Sequence, residues 1–577
     1  MGNAPGLGKL GDFTTTPRVI FISLLAIGIG VVSAFIALLL LRLIGLFTNL
    51  FFFQRWGYAL VSPAGNKLGF AEVLVPVIGA LIIGFMARYG SERIRGHGIP
   101  EAIEAILING SKIEPKVAIL KPISSAISIG TGGPFGAEGP IIMTGGAFGS
   151  MIAQLFHLTS AERKTLLVAG AAGGMSATFG SPIAAVLLAV ELLLFEWKPR
   201  SLVPVALASA TAAVLRHYII GGTPLFPTPP HTAFIGITGF LGCVVVGILA
   251  GALSSLLTIA VYASEDAFHR LPIHWMWWPA IGGVVIGIGG LIFPQALGVG
   301  YDTIGALLQG NVPFKVIVGV LIVKSIIWSV SLGSGTSGGV LAPLLMIGGA
   351  LGGLEAMFLP GEGVGFWVLI SMGAVMGGTM RSPFTGIIFV LELTHDVNAL
   401  LPLLIAVIIA HAFTVLVMRR SILTEKVSRR GYHLSREYST DPLEIIFVRE
   451  VMRTNVAALS STLSPKALAQ ALHESLQNNR VQHLYPILDA AKQLVGVVTR
   501  RDLQTLAQEQ HIENENLQLD NVLHQQPIVA YPDEPLRSVV YRMADTGFTR
   551  FPVVERDNPQ HLVGIVSLQD LLKARSR

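Results

Sequence analysis

Most of this chain is built from apolar runs that are too short to cross a bilayer as ordinary helices. Between residues 19 and 418 such runs follow one another, and glycine or proline interrupts many of them, as in Ile141–Leu155, Pro182–Leu194 and Pro343–Met357. A plain membrane helix needs about 20 apolar residues. Because lipid cannot hydrogen-bond to broken backbone, such breaks must lie buried in protein or line a polar cavity. The pattern is typical of transporters and channels.

The composition places most of the chain in lipid. Charged residues make up 13% of the sequence, which is about half of the roughly 25% that a soluble protein carries. The first apolar stretch, from Val19 to Phe47, is far longer than the core of a signal peptide and predicts a retained membrane helix. The single cysteine, Cys243, lies in an apolar run, so we expect a buried thiol and no intrachain disulfide.

Basic residues set the expected orientation. A cluster of them follows the last apolar run: Arg419, Arg420, Lys426, Arg429, Arg430 and Arg436. Under the positive-inside rule this cluster places the C-terminal tail in the cytoplasm, and Lys9 and Arg18 place the N-terminus on the same side. We therefore expect a multi-pass protein of the cell (inner) membrane with both termini cytoplasmic. The charge pattern gives no indication of a nucleic-acid partner.

The membrane region, predicted to occupy residues 1–430, repeats itself. Gly130–Ser150 aligns with Gly333–Gly353 at an offset of 203, with identical residues at nine of 21 positions. Similar offsets give two further matched pairs, Lys121 with Lys324 and Glu191 with Glu392. We predict two repeats, about 19–221 and 232–418, separated by a proline-rich loop. Repeats of this kind place the substrate site at their interface near the middle of the bilayer.

Three glycine-rich breaks, at residues 96–100, 136–140 and 339–343, carry the predicted chemistry. Each ends in proline, which suits the start of a helix. A helix N-terminus presents unpaired N–H groups and about half a positive charge, so it binds an anion without a cationic side chain. Three such starts converging from both repeats would form an anion site within the membrane. The alternative is that the breaks are kinks that serve packing.

Glu138, in the second break, is the predicted gate. An ionisable side chain at membrane depth is expensive, which makes it a functional candidate by default. Its carboxylate can occupy an anion site as a tethered competitor and leave when a proton neutralises it. The residue would then act as gate and proton acceptor together. The alternative is a carboxylate that only complements the dipole of its own helix.

The motifs GHGIPEA, GAEGP, GGVLAP and the repeated GSP/RSP with a following glutamate resemble those of the CLC family of chloride channels and chloride/proton exchangers. The tail resembles two CBS domains. The resemblance implies an all-α polytopic membrane domain of two inverted repeats with many short broken helices, followed by a cytoplasmic α/β tandem CBS domain. It also implies a homodimer with one pore per subunit and Glu138 as gate. The implied anion-lining residues are His97, Gly98, Ile99, Gly136, Ala137, Gly139, Val340 and Leu341, with the backbone N–H groups of the last two as ligands.

Three positions depart from the exchanger pattern of this family. His97 stands where exchangers have a serine that contacts the anion, and an imidazole N–H can still donate to one; a structural histidine is the alternative. Leu423 falls on the position of a tyrosine ligand at the inner side. Leu192 replaces a second, internal proton-carrying glutamate, so the proton site is lost there. The last departure favours passive transport over proton coupling.

The soluble tail contains a second repeat. Leu494–Asp502 (LVGVVTRRD) matches Leu562–Asp570 (LVGIVSLQD), which predicts CBS modules at 446–507 and 521–577, joined by a polar stretch at 511–520. Each copy is predicted to be a helix, two strands and a helix.

The resemblance to CBS pairs gives the tail a candidate ligand. It implies that Thr499 with Asp502, and Ser567 with Asp570, meet the ribose of an adenine nucleotide such as ATP, ADP or AMP. Helix capping alone is the alternative. No cofactor is expected to be required.

The two lysines and two glutamates of the matched pairs have predicted roles of their own. Lys121 and Lys324 either raise the local potential for anions, snorkel, or bind helix ends. Glu191 and Glu392 are expected to be structural, with hydrogen bonds to helix ends.

Three functions remain in competition. A passive, voltage- and pH-sensitive channel for chloride and similar anions is favoured, and a chloride/proton antiporter is the second hypothesis. A membrane-anchored nucleotide sensor is the third, although an anchor needs only plain spans. The sequence shows no nucleophile–base set and no metal-ligand cluster, so we expect neither an enzyme nor a metal site.

Overall fold

The computed structural model describes residues 15–232, 235–359, 361–432, 443, 446–461, 482–503, 524–525 and 527–575. The chain divides into two compact units, a membrane unit of residues 11–436 and a C-terminal unit that begins at residue 437. Seven helical segments in the described part of the membrane unit are long and apolar enough to span a bilayer.

The first repeat consists of helices that differ widely in length. They are α1 (Arg18–Phe53), α2 (Leu74–Tyr89), α3 (Ile99–Leu107), α4 (Pro115–Gly130), α5 (Glu138–Gln154), α6 (Ser160–Phe179), α7 (Pro182–Leu188) and α8 (Pro199–Ile219). A π-helical turn, Ala189–Leu194, continues α7. Several of these helices are too short to cross a membrane, as the sequence predicts.

The second repeat follows the same order. Its helices are α9 (Ile237–His269), α10 (Trp278–Ile292), α11 (Tyr301–Leu308), α12 (Phe314–Gly319), α13 (Ser325–Gly333), α14 (Leu341–Glu355), α15 (Val364–Met380), α16 (Pro383–Thr394) and α17 (Leu400–Val417). A π-helical turn, Val320–Lys324, joins α12 to α13, so that the pair corresponds to α4. The short helix α18 (Ile422–Arg429) follows. Cys243 is buried in α9, as predicted.

Reciprocal contacts show that a two-fold relation links the repeats. Gly136 N donates to Gly339 O at 3.3 Å, and Gly339 N donates to Gly136 O at 2.9 Å. Glu191 accepts from two N–H groups in the first turn of α16, at 3.2 and 2.9 Å. Glu392 accepts from two N–H groups in the first turn of α7, both at 2.9 Å. The predicted structural role of the two glutamates is thus confirmed: each caps a helix of the opposite repeat.

Lys121 and Lys324 hold equivalent loops. Both side chains are completely buried. The Lys121 ammonium donates to Ile94 O and Gly96 O, both at 2.8 Å, in the loop that precedes α3. The Lys324 ammonium makes the matching bonds before α11, to Ala296 O at 2.9 Å and Gly298 O at 2.7 Å. Of the alternatives for these lysines, snorkelling is therefore wrong, since their ammonium groups bind loop carbonyls in the interior.

The C-terminal unit contains two small sheets. Its described elements are α19 (Val448–Val451), β1 (Leu459–Ser460), β2 (Leu484–Leu488), β3 (Leu494–Thr499), β4 (His524–Gln525), α20 (Leu536–Thr546), β5 (Arg550–Val554), β6 (Leu562–Ser567) and α21 (Leu568–Arg575). One sheet has the order β1-β2-β3-β4, with β1 parallel to β2 and the other pairs antiparallel. In the other, β5 pairs antiparallel with β6. The second module has the predicted order of helix, two strands and helix, whereas the first helix of the first module and the linker at 511–520 lie outside the described residues.

Candidate anion site

The carboxylate of Glu138 lies at the N-terminus of a helix from the other repeat. Glu138 begins α5 and is fully buried. Its Oε1 accepts from the N–H groups of Leu341 and Ala342, the latter at 3.3 Å, at the start of α14. A helix start carries unpaired N–H groups and partial positive charge. A role confined to its own helix does not account for these two bonds, because the donors belong to α14.

Two glycines make room for this carboxylate. A Cβ atom on Gly136 or on Gly339 would collide with the Glu138 carboxylate. These are the same residues that exchange backbone hydrogen bonds across the repeat interface. The predicted breaks at 136–140 and 339–343 therefore meet, and they meet around one negatively charged group. The prediction placed the N–H donors at Val340 and Leu341; the donors to the carboxylate are Leu341 and Ala342.

The start of α3 packs directly against the start of α5. Gly98, at φ +90, leaves no room for a Cβ because the Gly139 carbonyl lies against it, and Gly139 in turn faces the His97 carbonyl. The Gly98 N–H donates to the Glu101 carboxylate at 2.8 Å. The N–H of Gly98, a residue predicted to line the anion path, thus serves the helix start in this structure. Ile99 and Ala137 are buried nearby in the same packing.

His97 lies between this packing and a cavity of about 730 Å³. The His97 side chain is 3% exposed, and within the described residues its Nδ1 has no hydrogen-bond partner. Arg95, Glu101 and Lys426 line the same cavity. Lys426 forms an ion pair with Glu101 at 2.7 Å. The cavity lining contains acidic and basic side chains in similar numbers. The unpaired ring nitrogen, which can carry a proton, is therefore the feature that suits an anion.

Tyr262 brings a hydroxyl to this cavity that the sequence reasoning missed. Leu423, at the position predicted to replace a tyrosine, is buried in α18. Tyr262 instead reaches the cavity from α9, and its hydroxyl donates to Ile422 O at the start of α18. Tyr262 lies in a mostly apolar run (LTIAVYASE), so its sequence context does not mark it as functional. Sequence spacing also does not show which helices face each other.

Comparison with known proteins identifies the family behind this geometry. The model of the voltage gated chloride channel family matches residues 78–415, and the CBS domain model matches residues 448–508 and 519–577. The chain belongs to the voltage-gated chloride channel (CLC) family. It is therefore a multi-pass membrane protein from a family of anion transporters. Its tail contains two CBS domains.

Relatives in the CLC family bear two kinds of name. A putative chloride channel protein ClcB-like of Ralstonia nicotianae is 28% identical over 60% of this chain and 83% of its own length. The H(+)/Cl(-) exchange transporter ClcA of Salmonella arizonae is 30% identical over 56% of this chain and 72% of its own length. Among solved structures, a slow cyanobacterial Cl-/H+ antiporter superposes with a TM-score of 0.62 at 21% identity, covering 72% of this chain and 99% of that protein.

A second structure extends the CLC fold to the tail. A eukaryotic CLC transporter superposes with a TM-score of 0.56 at 19% identity and covers 96% of this chain and 97% of its own. At these identities the likeness shows the fold alone. The predicted fold class, two repeats of broken helices followed by tandem CBS domains, is confirmed.

Leu192 is the residue predicted to replace the internal titratable group of the exchanger pattern. The residue is completely buried in the π-helical turn after α7, two positions before the turn ends. Its neighbour Glu191 is engaged with α16 of the other repeat. The side chain at the internal position can therefore neither bind nor release a proton.

The candidate nucleotide residues of the CBS domains form caps. In the first module Thr499 Oγ1 donates to Asp502 Oδ2 at 2.6 Å, and Asp502 N donates to Thr499 Oγ1 at 3.3 Å. Ser567 and Asp570 form the same reciprocal pair at the start of α21. Asp570 also binds Arg453 at 3.0 Å. The capping role is present in both modules.

Proposed function

We propose that this chain conducts chloride through one pore per subunit, with Glu138 as the gate. The observation that carries the proposal is the Glu138 carboxylate on the N–H groups of Leu341 and Ala342. Carboxylate and chloride are both anions, so they compete for the same donors. Protonation makes the carboxyl neutral and removes its advantage over chloride. The gate then leaves α14, and an anion takes its place.

The inner half of the path would run from the cavity to this site past His97. The unpaired Nδ1 of His97 gives an entering anion a donor after it has left water. Arg95 and Lys426 line the cavity together with acidic side chains, and each pairs with a glutamate, so the proposed anion contact rests on His97. Chloride is the expected substrate, and bromide and nitrate fit the same backbone-lined chemistry.

Transport is proposed to be passive and sensitive to voltage and pH. A proton that moves between Glu138 and the cytoplasm without an anion needs a relay on the inner side, and Leu192 cannot titrate. A buried leucine there also keeps water out of the relay position. The naming of a relative as ClcB-like chloride channel protein supports this proposal.

A chloride/proton antiporter is the second candidate. The exchange transporter ClcA is a relative at 30% identity, and the solved structures with this fold include a Cl-/H+ antiporter. Glu138 supplies one proton acceptor, and a water chain can replace the missing internal carboxylate. The two candidates differ in one observable, which is whether chloride moves protons uphill.

Liposomes with an outward chloride gradient and no other driving force distinguish the candidates. The channel predicts chloride efflux without proton movement against its own gradient. Proton uptake at a fixed ratio to chloride would establish the antiporter instead. Glu138→Gln is the matched control, because it removes the proton acceptor and should abolish any uphill proton signal.

We further propose a homodimer in the inner membrane with both termini in the cytoplasm. The support is the family membership together with the basic residues Arg419, Arg420 and Arg429 after the last membrane helix. Protease cleavage of the tail in sealed, right-side-out vesicles tests the orientation: the tail should be cut only after the vesicles are opened.

The CBS domains are proposed to bind an adenine nucleotide and modulate transport. Thr499 with Asp502 and Ser567 with Asp570 are the candidate ribose ligands, and each pair stands at a helix start that suits phosphate. Calorimetry with ATP, ADP and AMP on the full-length protein tests this, with Thr499→Ala and Ser567→Ala as a matched pair. Absence of binding at millimolar nucleotide would leave only the capping role.

A further inference from the structure

The repeat relation points to a counterpart of the α3 start on the opposite face of the membrane unit. Gly98 precedes α3 at φ +90, and Gly300 precedes α11 at φ +81. Lys121 holds the loop before α3 in the same way as Lys324 holds the loop before α11. Because the repeats are inverted, α11 begins on the face opposite to α3. The α3 face carries the C-terminal end of the membrane unit, since Lys426 of α18 pairs with Glu101 of α3.

Tyr301, the first residue of α11, carries a hydroxyl that the packing of the described residues leaves without a hydrogen bond. Its hydroxyl is buried and has no hydrogen-bond partner among the described residues. The ring packs edge-on against Phe226 at 5.8 Å between centroids. A buried hydroxyl without a partner costs about 1–3 kcal/mol. Such a group needs an explanation beyond packing.

Arg216, in the last turn of α8, is a second group of this kind. The side chain is 7% exposed, and its Nη1 donates to Gly221 O at 2.6 Å. Its Nε is buried and without a partner in the part of the chain that the structure describes. Gly180, at φ +69, gives the guanidinium its space, because a side chain there would press on it. The absence of a side chain at Gly180 therefore leaves space for the buried Arg216 guanidinium.

Electrostatic proximity links Arg216 to Tyr301 and Tyr301 to Glu138. Tyr301 lies within electrostatic reach of both Arg216 and Glu138, and these are the charged groups that act on its hydroxyl. The loop before Tyr301 is joined to the loop before Glu138, since Gly298 N donates to Gly132 O at 3.0 Å. The second carboxylate oxygen of Glu138, Oε2, is also buried and has no partner within the described residues. Among the described residues, Arg216 and Tyr301 thus supply two unpaired donors, and Glu138 supplies an unpaired acceptor.

We propose that Arg216 and Tyr301 form a second anion-binding site between Glu138 and the face opposite the C-terminal tail. The guanidinium Nε–H and the phenol O–H supply the donors. The ligand is an anion from one of two sources: free chloride that enters from that face, or the Glu138 carboxylate once it has left α14. The site rests on the proposed function, since both sources lie on the same transport path.

Chloride titration calorimetry on the full-length protein in detergent tests the first source. The parent is Glu138→Gln, in which no carboxylate competes, and the test variant adds Tyr301→Phe. Loss of a hydrogen bond to an anion should weaken one chloride-binding step about tenfold. Ser111→Ala in the same parent is the matched control, because it removes another unpaired buried hydroxyl near the far end of α5.

Chloride efflux from vesicles tests the second source. With Glu138 present, Tyr301→Phe should shift the pH of half-maximal efflux if the site receives the displaced carboxylate. If Tyr301→Phe weakens chloride binding in the Glu138→Gln parent, free chloride is the occupant. A Tyr301→Phe protein that matches its parent in both measurements overturns the site.

Stability separates this role from a structural one. Tyr301→Phe removes an unpaired buried hydroxyl, so the melting temperature should stay the same or rise. A lower melting temperature with unchanged chloride binding and an unchanged pH of half-maximal efflux would show that the hydroxyl serves packing and would overturn the inference. Arg216→Gln should repeat the chloride effect, and Arg216→Lys should restore part of it.

The gate proposal fails separately, if Glu138→Gln alone retains the pH dependence of the wild type.

Discussion

The two repeats of the membrane unit are alike in their scaffold and different in their chemistry. Each has a buried lysine that holds the loop before a short helix, and each has a glutamate that caps a helix of the other. At the site the correspondence breaks. Glu138 is matched at the offset of 203 by Leu341. One repeat supplies the carboxylate and the other supplies, from the equivalent residue, the N–H that binds it.

The same asymmetry extends along the path. His97 corresponds to Val299 and Ile99 to Tyr301 at the offset of 202. A polar side chain therefore occurs on each side of the gate, but at different positions of the repeated segment. Duplication explains why the backbone forms two helix starts that face one another. Single substitutions then decide where a charge, a donor or an apolar group is placed.

Glu138→Gln should have the largest effect, because it removes the negative charge that distinguishes the first repeat at the proposed gate. Once the carboxyl is mostly ionised, each further unit of pH lowers its neutral fraction about tenfold. Wild-type chloride efflux should follow that fraction, whereas the variant should be nearly independent of pH. Efflux from vesicles between pH 4 and pH 8 measures this. Glu392→Gln is the control, since it changes a carboxylate that caps α7 and should leave the pH profile intact.

Replacing the paired lysines should destabilise the membrane unit strongly and unequally. Lys121→Met and Lys324→Met each leave two buried carbonyls without their donor, at a cost of about 2–5 kcal/mol. Lys121 is also within electrostatic reach of Glu101, so its loss should cost more. Thermal unfolding in detergent provides the ranking. Equal melting temperatures for the two variants would show that the neighbouring carboxylate is irrelevant.

The paired glycines before α3 and α11 should respond differently to alanine. Both have positive φ, which costs alanine about 1 kcal/mol. A methyl group on Gly98 would strike the Gly139 backbone, whereas one on Gly300 would strike the flexible Met346 side chain. Gly98→Ala should therefore lower both the melting temperature and chloride efflux, and Gly300→Ala should lower the melting temperature less. The opposite order would contradict the packing at the α3 start.

The smallest effect is expected for the capping glutamates. Glu191→Gln and Glu392→Gln keep the acceptor oxygen but remove a charge from a helix start, which is worth about 0.3–1 kcal/mol. Each glutamate accepts from two N–H groups, but Glu191 also accepts from the Thr385 hydroxyl at 2.5 Å. Glu191→Gln should therefore lower the melting temperature slightly more than Glu392→Gln. A large difference between them would mean that one glutamate has a role beyond its cap.

The sequence was informative where a local pattern repeats. The offsets near 203 predict the two repeats, and the glycine breaks predict helix starts inside the membrane unit. The charge of Glu138 in an apolar segment is enough to mark the residue as a functional candidate. The role of Glu191 and Glu392 followed from their matching positions. In each case the signal is a short stretch of chain whose meaning does not depend on distant contacts.

Other features depend on contacts that spacing cannot reveal. Lys121 binds carbonyls 25 and 27 residues away, so its burial is a property of the packed loop. The engagement of the Gly98 N–H had a local signal, because Gly98 is followed three residues later by Glu101, as in a capping box. For Arg216 and Tyr301 the sequence contains only a weak signal of their role. The pairing of Gly98 with Gly300 marks α11 as a counterpart of α3, but α8 carries no such mark.

The pair of hydrogen bonds between Gly136 and Gly339 limits how this protein can open. Many transporters expose a site by rocking one half of the molecule against the other. Here the halves are joined by backbone bonds at the same point where the carboxylate lies. Rocking would dismantle the binding site at the moment of access. Movement of one side chain, with the two halves kept together, is the opening motion that preserves the site it serves.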